Sequence, residues 1–225
     1  AAVQPVIRLL TVLRPEPGNA ATCARIVAAG GAALALPLFE IRPLPWEPPP
    51  VEGFDALILT SANAVRHGGA GLAHYRDLPV FAVGAATADA ARAAGFRIAA
   101  TSSGDAAALG ALASQHGVRH ALHLTGRDRT PTEIPAVTIS IPVYASEHRD
   151  IAGPELAALA GTVALIHSPR AGRRLADLAL DAATVRIGAI SAAALDAAGP
   201  GWAATAVAAR PDDAALIAAA LALAD

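Results

Sequence analysis

Val80-Phe81-Ala82-Val83-Gly84-Ala85-Ala86-Thr87 opens an Ala-rich stretch that stops at Gly95, and Thr184-Val185-Arg186-Ile187-Gly188-Ala189-Ile190-Ser191 opens another that stops at Gly199. A short apolar run, a glycine and then small residues of good helix propensity is the order of a buried strand turning into a helix. Aligned, the stretches pair Gly84 with Gly188 and Thr87 with Ser191. Upstream of them lies a second matched pair, Leu57-Ile58-Leu59-Thr60-Ser61-Ala62 beside Ala164-Leu165-Ile166-His167-Ser168-Pro169. A long-period motif that occurs only twice describes two related lobes and not a solenoid.

Outward from this repeat, apolar runs alternate with Ala-rich stretches along the whole chain, the pattern of a parallel α/β sheet. Strands are expected near Ile7–Leu13, Ala32–Leu36, Ala56–Thr60, Val80–Val83, Ala121–Thr125, Val163–His167, Val185–Ile190 and Thr205–Ala208. Helices are expected between them, near Gly18–Ala29, Ala62–Ala73, Ala86–Ala94, Ala106–Gln115, Ala171–Ala179, Ala192–Ala198 and Asp212–Ala224. A third correspondence joins the opening unit, which runs to Leu36-Pro37-Leu38-Phe39-Glu40-Ile41, with Ala121–Thr125 running to Thr138-Ile139-Ser140-Ile141-Pro142-Val143-Tyr144. Proline cannot donate to a central ladder, so Pro37, Pro43 and Pro142 place these segments on an exposed ribbon. The expected layout is a discontinuous lobe 1 (residues 1–36 and 152–225), a ribbon (37–43 and 141–151) and an inserted lobe 2 (44–140).

Composition narrows the function. The chain has 225 residues, 54% of them hydrophobic, enough for a sizeable core and too apolar for disorder. Basic and acidic residues nearly balance, 17 against 19, so no basic footprint for nucleic acid exists. Every basic residue is Arg, and the absence of Lys removes Schiff-base and P-loop chemistry. The mean hydropathy is positive because alanine supplies about a quarter of the residues, and no long apolar run free of charge, Gly and Pro is present to span a membrane. The start, Ala1-Ala2-Val3-Gln4-Pro5, has no charged and then apolar leader pattern, and a single Cys makes no internal disulfide. A cytoplasmic, monomeric protein without membrane or nucleic-acid partners is expected.

Ligands of open parallel sheets bind beyond the carboxyl ends of the strands, at helix N-termini. Five junctions carry small polar residues there: Thr60-Ser61-Ala62-Asn63, Gly84 to Thr87, Thr125-Gly126-Arg127-Asp128-Arg129, His167-Ser168-Pro169-Arg170, and Gly188 to Ser191. Each alone reads equally as a helix cap, since Ser, Thr and Asp are favoured N-caps. Together, on two lobes, they describe a cleft of hydroxyls, amides and Arg suited to an anionic ligand. His120 and His123, three apart on a strand, face opposite sides and make a poor metal pair. Cys23 reads as a packed thiol. No G-x-G-x-x-G follows a strand, which removes a dinucleotide site. Ser168 follows His167 but lacks a nucleophile elbow. Tyr144, on the ribbon, offers either a weak general acid or an aromatic that packs the hinge.

The chain resembles the uroporphyrinogen-III synthase family over nearly its full length. The resemblance is carried by Leu13-Arg14-Pro15-Glu16, Leu36-Pro37-Leu38-Phe39, Leu59-Thr60-Ser61-Ala62-Asn63-Ala64-Val65, Val83-Gly84-Ala85-Ala86-Thr87-Ala88, Gly126-Arg127-Asp128-Arg129, Val143-Tyr144, His167-Ser168-Pro169-Arg170, Ile187-Gly188 and Arg210-Pro211-Asp212-Asp213-Ala214-Ala215-Leu216, in that order. It implies two flavodoxin-like α/β lobes joined by a two-stranded β ribbon. It also implies a reaction without cofactor or metal. Linear hydroxymethylbilane loses the ring A hydroxyl as water to give an azafulvene, which attacks ring D to form a spiro-pyrrolenine and recloses with ring D inverted, as uroporphyrinogen III. By the same resemblance Tyr144 matches the family's ribbon tyrosine, and Thr60, Ser61, Thr87, Ser168 and Ser191 fall on cleft-lining positions. Arg14, Asn63, Gly84, Gly126 and Arg127 complete the expected substrate-binding set. Ser191 stands where the family often has Thr, beside Ile190 in a slot that is frequently polar. The competing reading is a non-catalytic two-lobed module that binds an anionic metabolite or tetrapyrrole, or a synthase-like domain recruited for regulation. A hydrolase built on Ser168 is a more distant third.

Overall fold

The computed structural model describes residues 9–128 and 133–224. Ala1, Ala2, Val3, Gln4, Pro5, Ile7 and Arg129, named above, lie outside them. The described chain divides into two compact units, residues 1–40 with 148–225 and residues 41–147.

Unit 1 holds five strands: β1 (Leu9–Val12), β2 (Ala32–Ala35), and, after the chain returns, β9 (Val163–Ile166), β10 (Arg186–Ala189) and β11 (Ala204–Val207). They pair in parallel in the order β11-β10-β9-β1-β2. Unit 2 holds β4 (Ala56–Leu59), β5 (Val80–Val83), β6 (Ile98–Ser102), β7 (Ala121–Gly126) and β8 (Val137–His148), parallel in the order β8-β7-β4-β5-β6, with β3 (Phe39–Pro43) added beside β8. The two sheets have the same spatial plan, and β7–β8 stand where β1–β2 stand. Unit 2 is therefore the plan of unit 1 with the chain entering at a different strand.

Parallel strands buried on both faces read as continuous apolar runs, and β4, β7 and β9 are buried at every position. Helices cover both faces. In unit 1, α1 (Gly18–Ala28) and α8 (Asp213–Ala224) pack around Leu10, Val12 and Leu216. On the other face α6 (Pro169–Ala176) and α7 (Ala192–Ala198) pack around Ile166, Ile187 and Leu175. In unit 2, α2 (Ala62–His67) and α3 (Ala85–Ala93) cover Leu57, Leu59 and Leu122, and α4 (Ala106–Gln115) covers Ile58, Phe81 and Ala121. A short α5 (Gly153–Ala157) precedes β9.

Several expectations are corrected. The helix expected over Ala62–Ala73 stops at His67, because the chain turns at Gly68 and at Gly69, which has φ 64°, before a 3₁₀ turn over Ala70–Tyr75. Strand β6 lies where none was expected. Ile141–Tyr144, expected on an exposed ribbon, pairs with β7 inside the six-stranded sheet, and Val143 and Ala145 are fully buried. Pro142 fits there because the β7–β8 register slips between Thr125 and Gly126, so the missing donor falls at a bulge.

The repeat also shifts. Ser61 and Ser168 occupy the same N-cap position, as aligned. The downstream pair is out of step: Gly84 caps α3 at φ 74°, whereas Gly188 sits inside β10 and the cap of α7 is Ser191.

One buried side chain fixes the β1–α1 turn. Asn19, fully buried, donates through Nδ2 to the Val12 carbonyl at 2.7 Å and the Arg14 carbonyl at 2.9 Å. Replacing it with Ala strands the Arg14 carbonyl, at about 1–3 kcal/mol for a buried acceptor left unmade, while the Val12 carbonyl still accepts from the Leu36 amide at 3.0 Å. Asn19→Ala is expected to lower the urea midpoint measurably at unchanged m-value, and an unchanged midpoint would show that water takes over the Arg14 carbonyl.

Candidate active site

The sequence-predicted residues fall at the carboxyl edges of the two sheets, where helix N-termini leave unpaired N–H groups. In unit 2, Tyr144 pairs across from Gly126 at the end of β7. A Cβ at Gly126 would lie 2.8 Å from Tyr144 Cζ and 2.9 Å from its hydroxyl oxygen, so the absent side chain is what lets the phenol lie over the strand end. The Arg127 amide donates to the Tyr144 carbonyl at 2.9 Å and fixes the backbone beneath the ring. The half-buried phenol lies 6.3 Å from the His67 ring, centroid to centroid. Burial, reinforced by the neighbouring Arg66 charge, holds the His67 pKa below its ordinary value, so this neighbour is neutral at pH 7.

Thr60 follows β4 and lies 3.1 Å from Nε2 of the buried His123, whose Nδ1 lies 3.1 Å from Ser140 Oγ. Ser61 caps α2 and accepts from the Asn63 amide, and the Asn63 side-chain carbonyl accepts from Arg66 at 3.4 Å. Thr87 is buried in the first turn of α3, only 5% exposed. Arg127 is exposed and already paired, 3.3 Å from Asp128 and 2.9 Å from Glu147. Tyr144, Gly126 and Arg127 are thus brought together, while Thr60 is bonded to His123 and Thr87 is packed inside the fold.

In unit 1, Ser168 caps α6 through the Ala171 amide and Ser191 caps α7 through the Ala194 amide. Each cap uses an oxygen lone pair, so the hydroxyl proton stays available to a ligand. Arg14 reaches toward Thr22 at 3.5 Å and toward the Asp213 carboxylate at 3.8 Å, and a Cβ at Gly18 would collide with its guanidinium. Asp213 also accepts from Arg25 at 2.6 Å, Thr22 at 3.0 Å and His167 at 2.9 Å. Its burial pushes the carboxyl up, but the hydrogen bonds from His167, Arg25 and Thr22 outweigh this and hold it below the ordinary value. His167 and Ser168 form no nucleophile–base pair: Nε2 turns to Asp213 while the Ser168 oxygen caps its helix.

Sequence reasoning missed His123 as a partner of Thr60, and it missed Asp213 as the acceptor shared by Arg14, Arg25 and His167. The Asp212-Asp213 pair after β11 was the available signal: Asp212 caps α8 through the Ala215 amide and Asp213 turns inward. Among the described residues no cluster of His, Cys, Asp and Glu is arranged to hold a metal, and no helix is long and apolar enough to cross a membrane.

These features define a class: a two-unit α/β protein with parallel sheets, with hydroxyls, helix N-termini and Tyr144 at the strand ends. The family model for uroporphyrinogen-III synthase HemD matches residues 20–218. Uroporphyrinogen-III synthetase from Helicobacter pylori 26695 superposes with a TM-score of 0.69 at 18% identity, covering 96% of this chain and 99% of that one. The uroporphyrinogen III synthase from the extremely thermophilic bacterium Thermus thermophilus aligns over 96% of each chain at 19% identity, with a TM-score of 0.41 that adds nothing about the fold. No individually curated protein matches. The chain belongs to the uroporphyrinogen-III synthase family. Its activity is that of a cyclising lyase in porphyrin biosynthesis, which closes hydroxymethylbilane to uroporphyrinogen III.

Burial lowers the His167 pKa, and the Arg14 charge adds to this, against the opposing hydrogen bond to Asp213. The unfolded chain therefore takes up a proton at about pH 6.5 that the folded chain refuses until lower pH. The associated stability is complete above that pH and falls as pH drops through and below it. The melting temperature is expected to decline below about pH 6.5, and His167→Gln should flatten that decline. Parallel melting-temperature profiles for the two proteins would assign the titration elsewhere.

Proposed function

We propose that the chain performs the cyclisation by positioning, with Tyr144 as the single proton donor and hydroxyls at both sheet edges as carboxylate ligands. The observation that carries this reading is the seating of Tyr144 over Gly126, at the sheet edge where ligands of parallel folds bind. The substrate needs a proton on the departing ring A hydroxyl, and the phenol supplies it beside a neutral His67. Once water has left, the azafulvene reacts without further activation. The remaining task is to hold ring D so that the spiro-pyrrolenine forms ahead of direct closure to the type I isomer.

Thr60, Ser61, Ser168 and Ser191, with the amides after Gly84, bind carboxylates of the tetrapyrrole as hydrogen-bond donors. Gly126 serves by leaving room for Tyr144. Asn63, Thr87, Arg14 and Arg127 shape the edges more than they contact substrate, since each is buried or already partnered. The route uses no cofactor or metal. The chain works as a cytoplasmic monomer, with flavodoxin-like lobes at 1–36 with 152–225 and at 44–140, joined by crossing segments at 37–43 and 141–151. The division of the chain near residues 40 and 147 supports that layout.

Tyr144→Phe is expected to lower the rate of type III formation about 10²-fold or less, the low end for a general acid because the leaving group departs readily. Isomers resolved after adding fresh hydroxymethylbilane provide the measurement, and a wild-type rate would reduce Tyr144 to a packing residue. Ser168→Ala and Ser191→Ala should each cost about 0.5–1.5 kcal/mol of substrate binding, roughly additively, because each removes one hydrogen bond and they cap different helices. Loss of all turnover in either folded single variant would place the chemistry on that serine and end the distributed reading.

A further inference from the structure

β7 is buried at all six positions, and Ala121, Leu122 and Leu124 are the apolar residues a central parallel strand requires. Between them stands a titratable side chain, His123, 1% exposed. In register it lies between Ile58 on β4 and Ser140 on β8. Thr60 stands two residues beyond Ile58 and so shares its face. The imidazole spans three strands, with Nε2 3.1 Å from Thr60 Oγ1 and Nδ1 3.1 Å from Ser140 Oγ.

In its neutral form an imidazole has one donor and one acceptor, and it then treats its two hydroxyl partners oppositely. If Nε2 carries the proton, it donates to Thr60, and the Thr60 hydroxyl keeps its own proton for a group beyond the sheet edge. Ser140 then donates to the bare Nδ1. In the other tautomer Thr60 spends its proton on Nε2 and turns only lone pairs outward. A carboxylate only accepts hydrogen bonds, so it can use the first arrangement and not the second.

We infer that His123 is a positioning residue that holds Nε2 protonated and thereby makes Thr60 a hydrogen-bond donor to a carboxylate of the tetrapyrrole substrate. The inference rests on the reading of Thr60 as a substrate contact. It gives the buried histidine a part in recognition although it touches no ligand. It also accounts for a ring with two nitrogens at a strand position that an aliphatic side chain would fill.

The glutamine amide nitrogen overlays imidazole Nε2, whereas the asparagine amide overlays Nδ1. His123→Gln should therefore keep KM within about twofold of wild type, while His123→Asn and His123→Phe raise it about three- to tenfold, the loss of one hydrogen bond, with kcat little changed. Thr60→Val should raise KM by a similar factor, and adding His123→Phe to Thr60→Val should raise it no further. Nitrogen-15 spectra of the wild-type protein labelled in its histidine rings, assigned with the His123 variants, should show Nε2 protonated and Nδ1 bare.

A bare Nε2, equal KM values for His123→Gln and His123→Asn, or a full effect of His123→Phe in the Thr60→Val background would each overturn the inference. If His123→Phe does not fold, the Gln and Asn comparison and the wild-type spectrum decide. A raised KM in Thr60→Val with a wild-type KM in His123→Phe overturns the role of His123 alone. An unchanged KM in Thr60→Val overturns the placement of Thr60 in the site, and the inference with it.

Discussion

A parallel strand pair cannot be closed by a tight turn, so each strand of both sheets needs a crossover before the next can pair. Most of those crossovers here are helices, and all of them begin at the same edge of their sheet. That edge collects the C-termini of the parallel strands, the N-termini of the helices that follow them and the short polar turns between. The opposite edge collects the glycine-rich returns, such as Gly95 and Gly117 with φ 86° and 84°. The direction of strand pairing thus decides where chemistry can sit before any side chain is chosen.

At that edge the hydroxyls share one property. Ser61, Ser168 and Ser191 each accept from a helix amide, and Thr60 is bonded to His123. A capping oxygen that already accepts still has a proton to give, so stability and recognition use different parts of one group. The two readings of these residues, as caps or as ligands, are therefore compatible. The arginines behave differently: Arg14 lies beside Asp213 and Arg127 between Asp128 and Glu147, so their charge is largely matched inside the protein. On the proposed reading a carboxylate-rich ligand would meet oriented dipoles at these positions more than bare cations.

What the sequence made legible was what period and composition encode. The apolar runs of β4, β5, β7 and β9 are buried on both faces and read plainly, and α4 and α7 were located to the residue. β6 was missed because Ile98-Ala99-Ala100-Thr101-Ser102 is a partly exposed edge strand with little apolar signal. Pro142 misled because proline reports a missing donor without saying whether an edge or a bulge absorbs it. The downstream repeat aligned on glycine identity, yet Gly84 supplies a left-handed φ and Gly188 only makes room, since a Cβ there would fall 3.2 Å from the Ala220 Cβ. The edge junctions could be found from residue type. Their partners could not, since His123 to Thr60 spans 63 residues and Thr22 to Asp213 spans 191.

The same reasoning bears on why Tyr144, proposed above as the proton donor, stands on a strand and not in one of the turns. A proton donor to a labile leaving group need not be strongly acidic, but it must be in place when the group departs, and a side chain on a paired strand loses little freedom at that moment. β8 supplies such a base: it is hydrogen-bonded to β7, the Tyr144 carbonyl takes the Arg127 amide, and the neighbouring Val143 and Ala145 are fully buried. A side chain at 126 would push the phenol off the strand end by forcing a contact under 3.0 Å. Glycine is thus required there by the tyrosine and not by its own backbone, since Gly126 does not adopt a positive φ. The bulge that admits Pro142 lies in the same turn of register and re-aims Tyr144 relative to β7. Proline, bulge, glycine and tyrosine therefore form one local device, in which each departure from ideal strand sequence is explained by the placement of a single hydroxyl.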